Sequence, residues 1–247
     1  MDSPRWLTAI PVYNEAAHIR GVLAAVRRYS RDILTVNDGS TDGSRDILDA
    51  EPDLLRIDHP VNRGYGAAVA SAFRYAVAHR YDVLVTMDCD GQHQPDRLPV
   101  LLEAIHDADI VSGSRYFREF REDTAPPTDR RFINQTLTRE INQRYGLNLT
   151  DSFCGFKAYR VDALRKLTPT EAGWGMPLEL WVQAARLGLR VKEIGVPRVY
   201  LDPSRSFGAT LDDPAVRLAH YSEVLARAEA RLPVPVMSEC GLVPEWC

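Results

Sequence analysis

The segment that decides the fold is an apolar run followed directly by acidic and turn residues, Val83-Leu84-Val85-Thr86-Met87-Asp88-Cys89-Asp90-Gly91-Gln92-His93-Gln94-Pro95. Its first part, Val83–Asp88, has the composition of a buried β-strand. Gly91 and Pro95 then favour a turn of the chain. A buried strand whose carboxyl end carries polar residues is typical of an α/β protein, in which ligands bind beyond the strand ends.

Similar apolar runs lie on both sides of this segment and alternate with helical patterns. The further predicted strands are Trp6–Val12, Ile33–Asn37, Leu54–Asp58 and Ile110–Ser114. Apolar residues recur at helical spacing in Ala16–Arg28, Gly66–His79 and Leu98–His106. This alternation predicts a mostly parallel central sheet with helices on both faces.

The regular alternation ends after Ser114. Residues 115–129 are polar and charged and contain two adjacent prolines, which indicates a long loop. Beyond it, periodicity predicts helices at Arg131–Tyr145, Pro177–Leu187 and Pro214–Arg231, and strands at Phe156–Tyr159 and Arg190–Tyr200. We therefore expect a single domain over residues 1–231, ending in a helical extension, and an irregular tail over residues 232–247.

Composition and charge exclude several classes of protein. The chain has 247 residues, of which 45% are hydrophobic, so it is neither low-complexity nor wholly disordered. Its 30 Lys and Arg residues against 34 Asp and Glu residues give a net charge of −4, which argues against a nucleic-acid binder. Four cysteines without CxxC spacing indicate neither a zinc site nor a disulfide framework.

The sequence also bears on location. It shows no secretory signal and no apolar run of about 18 residues, the length that marks a membrane-spanning helix. We therefore expect a cytoplasmic protein with at most peripheral membrane contact. Residues 115–166 hold 11 basic against 7 acidic residues, so weak attraction to anionic lipid is allowed.

Asp88 and Asp90 are the strongest candidates for chemistry. On a continuing strand their side chains would point to opposite faces, but the turn at Gly91 allows the carboxylates to converge. Carboxylate oxygens suit Mg²⁺ or Mn²⁺, and such ions are commonly completed by substrate phosphate oxygens. An isolated Asp-x-Asp is more often a solvated turn, but its place at the end of a buried strand favours a metal site.

Two glycine-containing segments carry weaker signals. Asn62-Arg63-Gly64-Tyr65-Gly66 opens a helix but is not a dinucleotide-binding fingerprint, because Val69 stands where the third glycine is needed. Residues 37–44 are by themselves explained as a capped strand-to-helix turn. No phosphate-binding loop of the GxxxxGK[ST] type occurs in the sequence.

Taken in order, five segments resemble the successive motifs of family-2 glycosyltransferases, which have the GT-A fold. They are Pro11–Glu15, Asn37–Asp42, Asn62–Gly64, Asp88–His93 and Gly113–Tyr116. Residues 151–157 and 177–179 extend the resemblance more weakly. The subgroup that looks most similar is the polyprenyl (dolichol) phosphate mannose or glucose synthases. The resemblance implies an α/β nucleotide-sugar-binding sandwich that transfers sugar with inversion.

The resemblance also assigns roles to residues at the motif positions. The base and ribose of a nucleoside-diphosphate sugar would be held by Pro11, Tyr13, Glu15 and Asp38. A Mg²⁺ or Mn²⁺ ion bridging the diphosphate would be bound by Asp88, Asp90 and Gln92. Arg115 would face the donor phosphates, where a guanidinium stabilises the charge of the leaving group. Arg130 or Arg131 would support it or receive an anionic acceptor, although a solvated pair of loop arginines explains them equally well.

Glu179 has two explanations. It stands at the start of a predicted helix, where the helix dipole favours an acidic residue. Alternatively, family members present an acidic residue here to the acceptor, as a general base, and we therefore group Glu179 with Arg115 and Asp90 in the catalytic step. Trp181, on the same helix, is favoured as a core residue over a residue that stacks on a sugar.

Two classes of acceptor remain open. One is a hydroxyl on a saccharide or small molecule, and the other is a polyprenyl phosphate. The lack of a spanning segment and the acidic pair Asp212-Asp213 favour the hydroxyl. A non-catalytic nucleotide-sugar-binding protein is the alternative of another class, and it is disfavoured because Asp88 and Asp90 are both present.

Overall fold

The predicted strands form a single sheet in the computed structural model, which describes residues 4–201 and 206–231. The strands are β1 (Trp6–Val12), β2 (Ile33–Asn37), β3 (Leu55–Asp58), β4 (Val83–Thr86), β5 (Ile110–Ser114), β6 (Lys157–Arg160) and β7 (Val191–Gly195). Their spatial order is β3-β2-β1-β4-β6-β5-β7, and every neighbouring pair is parallel except the two that include β6. The prediction of a mostly parallel α/β sheet is confirmed.

The reversed strand β6 is the main departure from the predicted alternation. It lies between β4 and β5 and runs antiparallel to both, with Lys157 opposite Thr86 and Ser112. Because β6 runs backwards, it begins where its neighbours end. The residues just before β6 therefore lie at the carboxyl edge of the sheet, beside the loop that follows β4. A short apolar run carries no information about strand direction, so the sequence pattern did not reveal this.

The described helices are α1 (Ile19–Val26), α2 (Ser44–Asp49), α3 (Tyr65–Ala78), α4 (Leu98–Ala104), α5 (Thr128–Tyr145), α6 (Val161–Leu164), α7 (Met176–Arg186) and α8 (Pro214–Ala230). The short helices α2 and α6 were not predicted as separate elements. The long loop predicted after β5 is confirmed, since residues 115–127 contain neither helix nor strand. Residues 232–247, predicted as an irregular tail, lie outside the described residues.

Alternating strand residues divide the core into two layers, one on each face of the sheet. On one face, Ile10 and Val12 of β1 pack with the buried residues of α1, α2 and α4. On the other face, Leu7 and Ala9 pack with residues of α3, α5, α6, α7 and α8. Both faces of the sheet are thus covered, and its carboxyl edge is left for a site.

The C-terminal helices form the predicted extension. Asp213 caps α8 by accepting hydrogen bonds from the backbone N–H groups of Ala215 and Val216, at 2.8 and 3.0 Å. At the other end of α8, Tyr145 of α5 donates a hydrogen bond to Glu229 at 2.6 Å. Within the described ranges, no helix combines the length and the apolar character needed to cross a membrane.

Candidate active site

The carboxyl ends of β1, β2 and β4 lie side by side, and the loops that follow them carry several of the predicted site residues. The loop after β4 closes on itself through two hydrogen bonds. The backbone N–H of Asp88 donates to Nδ1 of His93 at 2.9 Å, and the backbone N–H of Gln92 donates to Oδ1 of Asp90 at 3.0 Å. Gly91 allows this turn because its φ is +75°, in the left-handed region that favours glycine. Asp88, Asp90 and Gln92 are therefore gathered in one tight loop, as their spacing predicts.

Asp88 is held in an unusual way. Its Oδ1 is buried and has no hydrogen-bond partner among the described residues. A Cβ on Gly155, just before β6, would lie 2.6 and 2.7 Å from the two carboxylate oxygens and 2.7 Å from the hydroxyl of Tyr65. Burial, and then the negative charge of the Asp88 carboxylate, raise the pKa of Tyr65 well above its usual value. Gly155 and Tyr65 thus form a cradle that only a glycine at position 155 leaves open.

This cradle fits a divalent cation. A buried carboxylate oxygen without a partner is costly unless a ligand completes it. In the described part of the chain, no group of three or more His, Cys, Asp and Glu side chains is arranged to hold a metal by itself. Two carboxylates in one loop match the pattern in which substrate phosphate oxygens supply the remaining ligands of Mg²⁺ or Mn²⁺.

Asp38, predicted to contact the nucleotide, is buried at the carboxyl end of β2. Its oxygens accept hydrogen bonds from the backbone N–H groups of Arg63 and Gly64, at 3.0 and 2.8 Å. Nδ1 of His59 lies 2.5 Å from Oδ1, and Nε2 of the same ring lies 2.9 Å from Ser71. Asp38 therefore shapes the turn before α3, and its contact with a nucleotide stays a prediction.

The other predicted nucleotide-binding residues lie in and just after β1. Tyr13 is 46% exposed and Pro11 is half-buried, whereas Glu15 is buried. Between them, Asn14 adopts a left-handed φ of 55°, and its side-chain oxygen accepts a hydrogen bond from the N–H of Thr41 at 2.8 Å. This bond joins the loops after β1 and β2, so the two motifs meet at one edge of the sheet.

Arg115, at the end of β5, forms a bidentate ion pair with Asp151. Its Nε and Nη2 lie 2.7 and 2.9 Å from the two carboxylate oxygens. Asn134 donates a further hydrogen bond to Asp151 at 2.7 Å. Burial by itself would raise the pKa of Asp151, but the Arg115 guanidinium holds it well below its usual value. Nη1 of Arg115 points elsewhere, 3.4 Å from the hydroxyl of Tyr200.

Guanidinium groups surround the ring of Tyr116. Those of Arg131, Arg198 and Arg115 lie 3.6, 5.5 and 5.8 Å from the ring centroid. Cations within about 6 Å of an aromatic face are attracted by its quadrupole. The side-chain amide of Gln135 is oriented so that its oxygen accepts a hydrogen bond from Nη2 of Arg131 at 3.1 Å. Three guanidinium groups thus lie around Tyr116 at the start of the loop that follows β5.

Glu179, the predicted general base, is hydrogen-bonded by residues of the loop before α7 and by Arg231. Its side chain is 1% exposed, and its oxygens accept from the backbone N–H groups of Thr170 and Glu171, at 2.8 and 2.7 Å. The Thr170 hydroxyl and Arg231 supply two more bonds, at 2.7 and 2.5 Å. None of these partners is a predicted site residue. Trp181, on the same helix, is fully buried, which confirms its prediction as a core residue.

Sequence reasoning missed the contributions of Tyr65, Gly155 and His59. Each acts through a contact between residues distant in the chain, such as the bond from the Thr86 hydroxyl to the Gly155 carbonyl at 2.8 Å. The only available signals were the glycine in residues 151–157 and the tyrosine between two glycines at the start of α3. Neither signal identifies a partner without the sheet order.

Three comparisons relate the chain to known proteins. It matches the profile described as Glycosyl transferase family 2 over residues 8–168, more than half of its length. It is 36% identical over 228 residues to undecaprenyl-phosphate mannosyltransferase from Micrococcus luteus. This alignment covers 88% of this chain and 93% of that relative. It is 31% identical over 235 residues to polyprenol monophosphomannose synthase from Mycolicibacterium smegmatis, covering 88% and 86%.

Among solved structures, it is similar to glucosyl-3-phosphoglycerate synthase from Mycobacterium tuberculosis in complex with Mn²⁺, UDP-glucose and phosphoglyceric acid. The TM-score is 0.69 at 17% identity, covering 92% of this chain and 80% of the other. At this identity the likeness shows the fold, which is the GT-A fold. The profile match over more than half of the chain and the two relatives show that the chain belongs to glycosyl transferase family 2.

Proposed function

We propose that this glycosyltransferase moves a sugar, with inversion, from a nucleoside-diphosphate sugar to a polyprenyl phosphate, and that it uses Mg²⁺ or Mn²⁺. One relative, 36% identical, is named as an undecaprenyl-phosphate mannosyltransferase, and another, 31% identical, as a polyprenol monophosphomannose synthase; the match spans most of their length. The observation that carries the proposal concerns the hydrogen bonds of two carboxylates, Glu179, the predicted general base, and Asp151, which is paired with Arg115. Asp151 and Glu179 are both buried and fully hydrogen-bonded.

The donor would bind at the carboxyl edge of β1, β2 and β4. The base and ribose would lie against Pro11 and Tyr13, next to the turn that Asp38 holds. Asp88 and Asp90 would bind the divalent cation, which would offset the negative charge that develops on the leaving diphosphate. Arg115 is already oriented by Asp151, so its remaining N–H groups would stabilise that charge without reorganisation.

The nature of the acceptor decides whether a general base is needed. A sugar hydroxyl must lose a proton, and a positioned base typically contributes about 10²–10⁴-fold to that step. A phosphate is already an anion and needs only to be positioned. Because Glu179 and Asp151 are engaged within the protein, neither is available as a base in this conformation, which favours a phosphate acceptor.

The acidic pair Asp212-Asp213, which argued against a phosphate acceptor, has a structural explanation. Asp213 caps α8, and Asp212 accepts hydrogen bonds from the Ser206 hydroxyl and the Phe207 N–H, both at 2.6 Å. These carboxylates therefore stabilise local structure, and their charge is no evidence on the acceptor. Arg131, stacked on Tyr116, is the residue that we assign to the acceptor phosphate. Peripheral contact with a membrane follows from a lipid acceptor, and a cytoplasmic location stays a prediction.

The experiment that tests this function compares two acceptors that differ only in the phosphate. The enzyme is assayed for nucleotide release with Mn²⁺, a panel of GDP- and UDP-sugars, and either a short polyprenyl phosphate or the matching polyprenol. We expect turnover with the phosphate and none above background with the alcohol. Turnover with a saccharide hydroxyl but not with the polyprenyl phosphate would support the alternative acceptor class and overturn the proposal.

A variant sharpens the same test. Arg131→Met should raise the KM for polyprenyl phosphate at least about tenfold, because a charge-assisted contact with the acceptor is lost. The KM for the donor should change little. Arg139→Met, which removes an exposed arginine from the same helix, is the matched control and should behave as the unaltered enzyme does. Equal acceptor KM values for the two variants would remove Arg131 from the acceptor site.

A further inference from the structure

Tyr65 and Trp174 form a stack that leads away from the Asp88 carboxylate. The hydroxyl of Tyr65 and the carboxylate oxygens of Asp88 border the same space above Gly155. Behind it, the indole of Trp174 stacks on the Tyr65 ring, with centroids 5.2 Å apart and planes 15° from parallel. The stack therefore touches the predicted metal site at one end only, and its other end faces a different part of the chain.

The stack is held in place by tight backbone packing. The loop before α7 lies directly on the first turn of α3, where the N–H of Ala67 donates to the carbonyl of Ala172 at 3.1 Å. A Cβ on Gly64 or on Gly66 would collide with the backbone of this loop, at Ala172 and Glu171. Because the two segments touch without intervening side chains, a shift of one moves the other.

The far end of the stack reaches the segment before α8. The indole N–H of Trp174 donates to the carbonyl of Phe207 at 2.9 Å, and the Phe207 ring meets the indole edge-on at 5.9 Å. The guanidinium groups of Arg130 and Arg217 lie 4.8 and 4.3 Å from the Phe207 ring centroid. Residues 206–208 are thus attached to Trp174 on one side and, through Arg130, to the start of α5 beside Arg131.

From this continuous set of contacts we infer that Tyr65 and Trp174 are positioning residues that couple the metal–nucleotide site to the segment 206–208 on the acceptor side. Tyr65 sets the orientation of Asp88, and Trp174 transmits any change there to Phe207. Coupling between two sites is reciprocal, so binding of metal and nucleotide should order the segment, and an ordered segment should strengthen that binding. The inference rests on the proposed function only for the presence of a metal–nucleotide site.

Hydrogen exchange measures this coupling without an acceptor. The amide N–H groups of Phe207, Leu211 and Asp213 are hydrogen-bonded within the turn before α8, so their exchange reports its order. The full chain is compared with and without saturating Mn²⁺ plus GDP, and Mn²⁺ plus UDP. We expect the nucleotide that binds to slow exchange in residues 206–213 by at least about fivefold, the low end of typical coupling.

Two conservative variants cut the connection at its two ends. Tyr65→Phe keeps the ring stack and removes the hydroxyl at Asp88, and Trp174→Phe keeps an aromatic ring and removes the N–H donor to Phe207. At saturating ligand, the slowing should be lost in both variants. The Mn²⁺–nucleotide affinity should fall about tenfold in Tyr65→Phe, because the polar group next to the Asp88 carboxylate is removed. Tyr75→Phe is the control, since Tyr75 stacks on His79 at the other end of α3.

The outcomes separate the coupling from the proposed function. Loss of slowing in both variants, with normal behaviour of Tyr75→Phe, supports the coupling. Slowing that persists in both variants at saturating ligand overturns it, as does nucleotide binding to the unaltered chain without any slowing. Failure of the unaltered chain to bind any nucleoside diphosphate with Mn²⁺ would instead overturn the proposed function, and the coupling with it.

Discussion

The loop after β4 and the segment before β6 each bring an aspartate to the same edge of the sheet, but they treat it in opposite ways. Asp88 keeps a buried oxygen without a partner in the described residues. Asp151 is fully buried, and its two oxygens are used by Arg115 and Asn134. The difference teaches that carboxylates at one edge of a sheet need not share a role: Asp88 keeps an oxygen open to a ligand, whereas Asp151 holds neighbouring residues in place.

The largest effect should follow from changing Asp88. Asp88→Asn removes the charge that would bind the cation, so transfer should fall at least about 10³-fold. The free energy of unfolding should change by only about 1 kcal/mol, because Oδ1 has no hydrogen-bond partner to lose and Oδ2 has a long contact, 3.7 Å, with Nε2 of His93. Single-turnover transfer and urea unfolding measure the two effects. Asp96→Asn, an exposed aspartate in the turn after this loop, is the control.

The predicted role of Asp88 in binding a cation would be contradicted if Asp88→Asn kept its activity, or if chelation of divalent cations with EDTA left the unaltered enzyme active. A large loss of stability in Asp88→Asn would also contradict it, because Asp88 would then resemble Asp151.

Changing Asp151 should affect stability rather than metal binding. Asp151→Asn leaves the buried guanidinium of Arg115 without its counter-charge, which typically costs about 3 kcal/mol or more of unfolding free energy. Urea unfolding measures this. Asp162→Asn, in which an aspartate with a 95% exposed side chain loses its pairing with Arg165, should cost less than about 0.5 kcal/mol. Equal losses of unfolding free energy in the two variants would contradict this prediction, because the buried Asp151–Arg115 pair would then contribute no more than an exposed pair.

The pH dependence of the Asp151 effect has a definite sign. Because the pKa of Asp151 is lower in the folded protein than in the unfolded chain, the pair stabilises the fold above the ordinary carboxyl pKa of about 4. That stabilisation should be constant from about pH 5 to 8 and should be lost progressively as the pH falls below about 4. A difference between the unaltered protein and Asp151→Asn that already disappears near pH 6 would contradict this assignment.

The smallest effect should follow from Glu179→Gln. The amide cannot accept all four hydrogen bonds that Thr170, Glu171 and Arg231 donate, so unfolding free energy should fall by about 1–2 kcal/mol. With a polyprenyl phosphate acceptor, kcat should stay within about threefold, because no base is needed. Glu223→Gln, at an exposed position of α8, is the control. A fall in kcat of about 10²-fold or more at unchanged stability would restore Glu179 as the general base.

The sequence predicted correctly those features that depend on residues close together in the chain. Strands β1, β2 and β5 have the predicted bounds, because apolar periodicity is a local property. The loop of Asp88 and Asp90 was located for the same reason, since its turn residues lie within a few positions of the strand. In contrast, the direction of β6 depends on which strands it joins, and no local pattern encodes that.

By itself, the sequence determined the α/β class, the order of the motifs and the residues that meet at the carboxyl edge of β1, β2 and β4. The tertiary structure decided which carboxylate oxygens have hydrogen-bond partners and, among the described residues, that Oδ1 of Asp88 has none. Glu179 illustrates this, because its place near a helix start allowed both a structural and a catalytic role, and the contacts with Thr170 and Arg231 that favour the structural role come only from the fold. The physical reason is that the role of a carboxylate depends on its burial and its partners, and partners distant in the chain are brought together only by the fold.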